Sequence, residues 1–344
     1  MSVGYIYDAI YQQHEIHDHV EGKDRLTAIE NALVKTQIKD KLELIQPRPA
    51  TIEEIAAVHD RSYLQELKKE IESGGGWLDP DTYVSPGSWE AALYAAGGLM
   101  NAVDAVMTGK CSSAFALVRP PGHHAVHTHQ MGFCLFNNVA VATRFALRNF
   151  NIKRVMIIDF DVHHGNGTQE AFYADGQVLY CSTHEYPWYP FTGTADETGV
   201  KTGAGCNLNV PMEAGVGDEE YMRVFNEVIL PVGERYQPDL IMISAGYDAH
   251  WMDSISNINL TTTGYARIMK VIRSIADDCC GGRIVCTLEG GYHRAALGYS
   301  VAATFEMLLR NDEIADPFGK PPATYTPREF DGYVNMLKSI HKIG

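Results

Sequence analysis

An apolar run, Val155-Met156-Ile157-Ile158, stops abruptly in Asp159-Phe160-Asp161-Val162-His163-His164 and a Gly-Asn-Gly turn. Two carboxylates and two imidazoles at the end of a strand-like run are groups placed for chemistry. The carboxyl ends of strands in open α/β sheets are where sites form. Alternate residues of an extended chain share a face, so Asp159, Asp161 and His163 start on one side, with Phe160 and Val162 on the other. Two hard oxygen donors and one imidazole suit a divalent ion such as zinc better than calcium or copper. Taken alone, the stretch also fits a capped turn with solvated charges.

Three other β-runs end in the same manner. Residues 113–118 lead into Arg119-Pro-Pro-Gly-His123-His124, residues 239–245 into Gly246-Tyr247-Asp248, and residues 283–288 into Glu289-Gly-Gly-Tyr292. Each ending has a plain reading: a turn for the histidines, a helix cap for Asp248, core or surface for Tyr292. Their joint occurrence at strand ends argues for one site, since parallel strands deliver those ends to one edge. Asp161, His163 and Asp248 then supply three ligands and leave a position for water, the layout of a catalytic zinc. Such an ion acidifies water and polarises a carbonyl. The paired histidines offer a base and an acid near neutral pH, and Tyr292 can donate to a developing oxyanion. This set suits amide hydrolysis without a protein nucleophile, and no Gly-x-Ser-x-Gly elbow is present.

The elements that must position these groups alternate between strand-like and helical patterns, which predicts an α/β fold with a central parallel sheet and helices on both faces. Val3 to Tyr7 reads as a first strand. Helices are expected at 25–38, 62–71, 88–107, 137–149, 218–236, 261–278, 294–309 and 327–341. Thr51-Ile-Glu-Glu has the capping-box pattern. Residues 14–25, HEIHDHVEGKDR, read as an exposed polar loop, residues 74–81 as a flexible loop, and 185–207 as a long loop rich in aromatics. The chain is read as one domain, 1–344, with a Pro-rich link and helix at 311–344 packed on it.

The composition is that of an ordinary globular protein, 45% hydrophobic and 21% charged. A formal net charge of −15 argues against direct nucleic-acid binding, which relies on Lys and Arg at phosphates. An odd count of seven cysteines, several of them in apolar runs and none in a CxxC pair, points to reduced thiols in a cytoplasmic setting and away from a thiolate zinc site. There is no basic-then-apolar leader at the amino end and no apolar run long enough to span a bilayer.

The stretches RPPGHHA, MGFCLFNNVAVA, DFDVHHGNGTQ, SAGYDAH and LEGGY closely resemble the zinc-dependent histone deacetylase family, with acetylpolyamine amidohydrolases as near relatives. They appear in the family's order across residues 1 to about 310, and DFDVHHGNGTQ resembles the class II branch, which has Asn where class I has Asp. The resemblance implies the arginase/deacetylase fold and zinc at Asp161, His163 and Asp248. It implies that His124 is the general base, held by Asn166, and that His123 is a cation, held by Asp159. A neutral Asn166 supports an imidazolium less than a carboxylate would, which would lower the basicity of His124. Tyr292 matches the catalytic tyrosine. Phe133 and Tyr189 would form the walls of a narrow acyl-lysine tunnel lined also by Gly132 and Gly291, with Asp81 touching substrate at the rim. Potassium would bind through Asp159 and Ser182 and the backbone of Asp161, His163 and Thr183. Arg25 sits in a degraded version of an early family motif.

The expected substrate is acylated lysine or a similar acylated primary amine. A polyamine-selective enzyme is the nearest alternative, but Ile255 stands where those relatives carry a Glu gatekeeper, leaving Asp253 and Asp81 as the acids able to attract a cation. A non-catalytic acyl-lysine binder and a dimanganese ureohydrolase fit the residues less well. No membrane association is expected. The loops at 14–25 and 74–84 are candidates for contacts in a homo-oligomer.

Overall fold

The computed structural model describes residues 2–322, 325 and 327–344. Its strands are β1 (Val3–Ile6), β2 (Leu42–Ile45), β3 (Gly76–Trp77), β4 (Tyr83–Val84), β5 (Ser113–Ala116), β6 (Val155–Asp159), β7 (Val178–Glu185), β8 (Asn207–Met212), β9 (Leu240–Ala245) and β10 (Ile284–Leu288). All but the β3–β4 hairpin join one sheet in the order β2-β1-β5-β10-β9-β6-β7-β8, every neighbouring pair parallel. The expected α/β architecture is the observed one. Strands β1, β5, β6, β7, β9 and β10 are buried along their whole length, as their near-continuous apolar sequences require in a sheet covered on both faces.

The helix Ser88–Met107 packs on Asn138–Asn149, while Asp24–Lys35 packs on Arg294–Leu308, which in turn packs on Thr262–Cys280. Thr51 and Glu54 form the reciprocal capping box expected of them. Among the described residues no helix is long and apolar enough to cross a membrane.

Several elements differ from expectation. The 74–81 loop contains half of the β3–β4 hairpin, β2 and β8 were not anticipated, and the turn after His164 is the start of a short helix, Asn166–Phe172. The helical stretch 218–236 contains a π turn at Phe225–Ile229, just before Pro231, whose ring nitrogen has no proton to donate to the ladder. The helix expected from Arg25 begins at Asp24, without a side-chain cap from its neighbour Lys23. In the 311–344 tail, Ala323, Thr324 and Thr326 lie outside the described residues. The helix Phe330–Ile340 is tied down by Tyr333 Oη, which donates to Pro211 O at 2.6 Å, and by the Arg223–Asp331 ion pair at 2.6 Å.

Candidate active site

The five adjacent strands β5, β10, β9, β6 and β7 place the reactive groups. Beyond their carboxyl ends come His123 and His124, Tyr292, Asp248, the Asp161–His163 pair, and the loop carrying Tyr189. One ligand atom each from Asp161, His163 and Asp248 lies within 4.8 Å of the others, and all three residues are buried. His163 Nδ1 faces Asp161 Oδ1 at 3.0 Å and Asp248 Oδ2 at 3.3 Å. The backbone holds both carboxylates in place: Gly290 N–H donates to Asp161 Oδ2 at 2.8 Å and Val162 N–H to Asp248 Oδ1 at 2.9 Å. A Cβ on Gly246 or Gly290 would collide with the Asp161 or Asp248 carboxylate, so glycine is required there for the chain to pass.

The donor set fits a divalent cation. Two buried carboxylates share one imidazole, and among the described residues Asp248 Oδ2 has nothing to pair with beyond that ring. The close packing of these charges shifts their pKa values. Burial would lower His163, but the Asp161 and Asp248 carboxylates raise it to about 10. Burial and the neighbouring Asp161 raise Asp248 to about 6. The cluster therefore recruits positive charge.

The two adjacent histidines are set apart by their partners. His123 Nδ1 donates to Asp159 Oδ2 at 3.1 Å, and Tyr180 Oη donates to the same oxygen at 3.0 Å. Burial opposes a charge on His123, yet Asp161 and Asp159 raise it to about 10. His124 Nδ1 pairs with Asn166 Oδ1 at 2.8 Å. Burial, then the charges of His123 and His163, hold His124 well below the usual imidazole value. One ring is thus a cation and the other neutral, with Nε2 of His124 free to accept a proton.

A cavity of about 430 Å³ opens over these groups. Its lining includes His123, His124, His163 and Tyr292 at depth, Gly132, Phe133 and Tyr189 on the walls, and Asp81, Trp188 and Ile255. The lining glycine on the Tyr292 turn is Gly290, not Gly291 as expected. Gly291 has φ +117° and turns its carbonyl away to accept from Arg25 Nε at 2.7 Å. Tyr189 Cε1 and the His124 ring are so close to Gly132 that a Cβ there would strike them. The Phe133 and Tyr292 rings meet edge to face at 5.9 Å. Desolvation keeps the Tyr292 phenol well above its ordinary pKa, so it stays a donor. Asp159 and Ser182 are opposite one another in the β6–β7 register, with Thr183 next along β7.

Three expectations are corrected here. The 14–25 segment is exposed only in part, at His17, Asp18, Val20, Lys23 and Asp24. His14, Glu21 and Arg25 are buried, and His19 packs its ring against Phe133 at 4.8 Å. Arg25, whose motif is degraded, is fully engaged: it donates to Glu21 Oε1, Gly291 O and Glu289 O. Asp253 does not face the rim as a cation attractor, because its carboxylate is buried and occupied by backbone amides.

The sequence reading also missed Glu21, Arg119 and Glu289. Arg119 Nη2 donates to Glu21 Oε2 at 2.7 Å. Glu289 Oε2 accepts from the amides of Gly122 and His123 at 2.7 and 3.2 Å, and its Oε1 from Ser244 Oγ at 3.0 Å. Burial raises this carboxyl to about 7. It anchors the loop that carries both histidines. The available signal was an Arg and a Glu each following directly on an apolar run, since buried charges need partners.

Comparison with known proteins places these features. The model of the histone deacetylase domain matches residues 19–308. Histone deacetylase 14, chloroplastic, of Arabidopsis thaliana is 42% identical over 347 residues, covering 95% of this chain and 82% of that protein. A histone deacetylase-like amidohydrolase of Pseudomonas aeruginosa is 36% identical, covering 84% of this chain and 77% of its own. The crystal structure of the HDA15 HD domain superposes with a TM-score of 0.90 at 35% identity, covering 99% of this chain and 94% of that one.

Proposed function

The chain belongs to the histone deacetylase family and is a deacetylase-type hydrolase, and from that premise we propose a zinc-dependent amidohydrolase that frees acetyl or other acyl groups from acylated lysine or a similar primary amine. The observation that carries this reading is the convergence of Asp161, His163 and Asp248 within 4.8 Å, in a cavity whose lining also holds His124 and Tyr292.

Asp161, His163 and Asp248 would hold the zinc. When bound, zinc supplies Lewis acidity that polarises the amide carbonyl and lowers the pKa of a water toward about 7. The remaining steps belong to the chain's own side chains. Phe133 and Tyr189 confine the substrate's aliphatic stem, so that the carbonyl arrives in one orientation. His124, whose Nδ1 is committed to Asn166, takes the water's proton at Nε2 and returns it to the leaving amine. His123, kept cationic by Asp159 and Asp161, offsets the negative charge that builds on the carbonyl oxygen. Tyr292 donates its hydroxyl proton in a hydrogen bond to that oxygen. Asp81 at the rim accepts from substrate N–H groups.

A potassium ion would bind below, through Asp159 and Ser182 with backbone oxygens of Asp161, His163 and Thr183. The facing of Asp159 and Ser182 across β6 and β7 supports this reading. Seven unpaired thiols support a reducing, cytoplasmic setting, with the chloroplast, named for the Arabidopsis relative, as the alternative.

A second reading, acylpolyamine hydrolysis, draws on Asp81, the carboxylate on the cavity lining. Ile255 on the same lining disfavours it, since an apolar side chain there gives a polycation nothing to pair with. The deciding experiment is turnover on acetyl-lysine peptides, acetylspermidine and small amides, each with and without chelator. Chelator-sensitive turnover is expected, with peptides preferred. Equal rates with and without chelator would sink the zinc assignment, and preference for acetylspermidine would favour the second reading.

A further inference from the structure

The turn that carries Tyr292 is gripped on both sides. On its carbonyl side the Arg25 guanidinium takes Gly291 O and Glu289 O. On its amide side a single carboxylate oxygen, Asp253 Oδ2, accepts from Tyr292 N–H at 2.6 Å and from His293 N–H at 2.8 Å. Gly290 and Gly291 precede Tyr292 and supply no side chain to restrain it. Asp253 is 6% exposed, so water competes little for these bonds.

These bonds are not needed to start the helix that follows. Arg294–Leu308 has its own cap, His293 Nδ1 accepting from Ala296 N–H at 3.2 Å. Asp253 acts one residue earlier, on the amide of Tyr292 itself. Its other oxygen accepts from Ile255 N–H at 3.2 Å, and Ile255 O accepts from Trp188 Nε1 at 3.1 Å. Trp188 and Ile255 both line the cavity. One buried carboxylate therefore ties the Tyr292 turn to two residues of the tunnel lining.

We propose that Asp253 is a positioning residue for turnover: by holding the amides of Tyr292 and His293, it sets where the Tyr292 hydroxyl stands over the scissile carbonyl. The inference rests on Tyr292 being the oxyanion donor of the proposed reaction. Loss of Asp253 lets the Gly-Gly-Tyr turn sample other conformations. Substrate still enters the tunnel, but the hydroxyl meets the transition state less often. The cost then falls on kcat, with KM little changed.

The test is a double-mutant cycle on an acetyl-lysine peptide, with Asp253→Ala and Asp253→Asn each made in the natural chain and in Tyr292→Phe. In the natural chain Asp253→Ala is expected to lower kcat about 10- to 100-fold with KM within about twofold and zinc content unchanged. Asp253→Asn, isosteric and still able to accept at its one oxygen, loses less. In Tyr292→Phe the same changes cost less than about twofold, because the group they act through is gone. Equal losses in both backgrounds, or a loss carried by KM or by zinc content, would overturn the proposal. If the natural chain shows no turnover on any acylated amine, the functional reading fails by itself. Amide exchange of residues 290–293 then judges Asp253 alone: faster exchange in Asp253→Ala supports the clamp, and unchanged exchange refutes it.

Discussion

Two clusters of buried charge lie in this molecule, and they are built on opposite plans. In the first, Glu21 is enclosed with Arg25 and Arg119, and all three side chains are essentially inaccessible. Both arginines bond Glu21 directly, and their remaining donors go to the backbone oxygens of Tyr11, Glu21, Glu289 and Gly291 and to Tyr83 Oη. In the second, Asp161 and Asp248 share one imidazole, and among the described residues an oxygen of Asp248 has nothing to pair with beyond that ring. Burial pushes both glutamate and aspartate upward, yet the outcomes differ. Arg119 and Arg25 bring Glu21 down to about 2, while Asp248 rises to about 6. Equal burial thus says nothing about role. A cluster whose carboxylate is fully taken up by guanidinium groups is architecture, and one with surplus negative charge suits a cation.

The sharpest break in that comparison comes from removing a carboxylate of the second cluster. Asp161→Asn or Asp248→Asn should cost about a thousandfold or more in kcat/KM, the scale of several kcal/mol of lost transition-state stabilisation. Zinc content measured by elemental analysis should fall with it. For Asp248→Asn the unfolding midpoint in chelator should hold or rise, because its like-charge contact with Asp161 is relieved. A large drop in that midpoint would mean the second cluster is also architecture.

The mirror experiment is Glu21→Gln. It leaves two buried guanidinium groups with no counter-charge and should cost about 3–5 kcal/mol in denaturant unfolding. Activity per folded molecule should change far less than in Asp161→Asn. A fully stable Glu21→Gln would erase the distinction.

A third comparison uses pH. Glu21 titrates near 2 when folded and near 4.5 when free. Its contribution to stability is complete above about 4.5 and drains away as pH falls toward about 2. Burial lowers His14 to about 3 and His59 to about 4, against an ordinary value of 6.5. Such neutral buried rings also lose stability with acid, beginning below about 6.5 because the unfolded chain takes up their protons first. Urea midpoints should therefore decline in two stages, and Glu21→Gln should flatten only the lower one. The smallest effect is expected from Asn166→Asp. A carboxylate against His124 Nδ1 should shift the acidic limb of the pH–rate profile upward by about one unit, and an unmoved limb would show that Asn166 does not set the basicity of His124.

The second cluster was legible in the chain and the first was not, for a physical reason. Asp161, His163 and Asp248 each follow an apolar strand, and strands of one parallel sheet end on one edge, so local pattern and topology agree. Glu21 and Arg25 sit in a polar stretch that reads as solvated. Their burial is decided by Arg119, 98 positions beyond Glu21. Strand β8 was hidden by Pro211, which is tolerated because β8 is an edge strand. The helix Asn166–Phe172 was hidden by its seven residues, too few to show a period.

Strand β1 is hydrogen-bonded on both sides, to β2 and to β5. The amino-terminal residues are therefore an interior stave of the sheet, one place in from its β2 edge. A polypeptide begun after the His-rich segment would keep Asp161, His163, Asp248, Phe133 and Tyr189 in its sequence. It would nonetheless have a gap between β2 and β5 and would lack the His19 ring that backs Phe133. For anyone trimming this protein to a minimal catalytic unit, the amino end offers no slack.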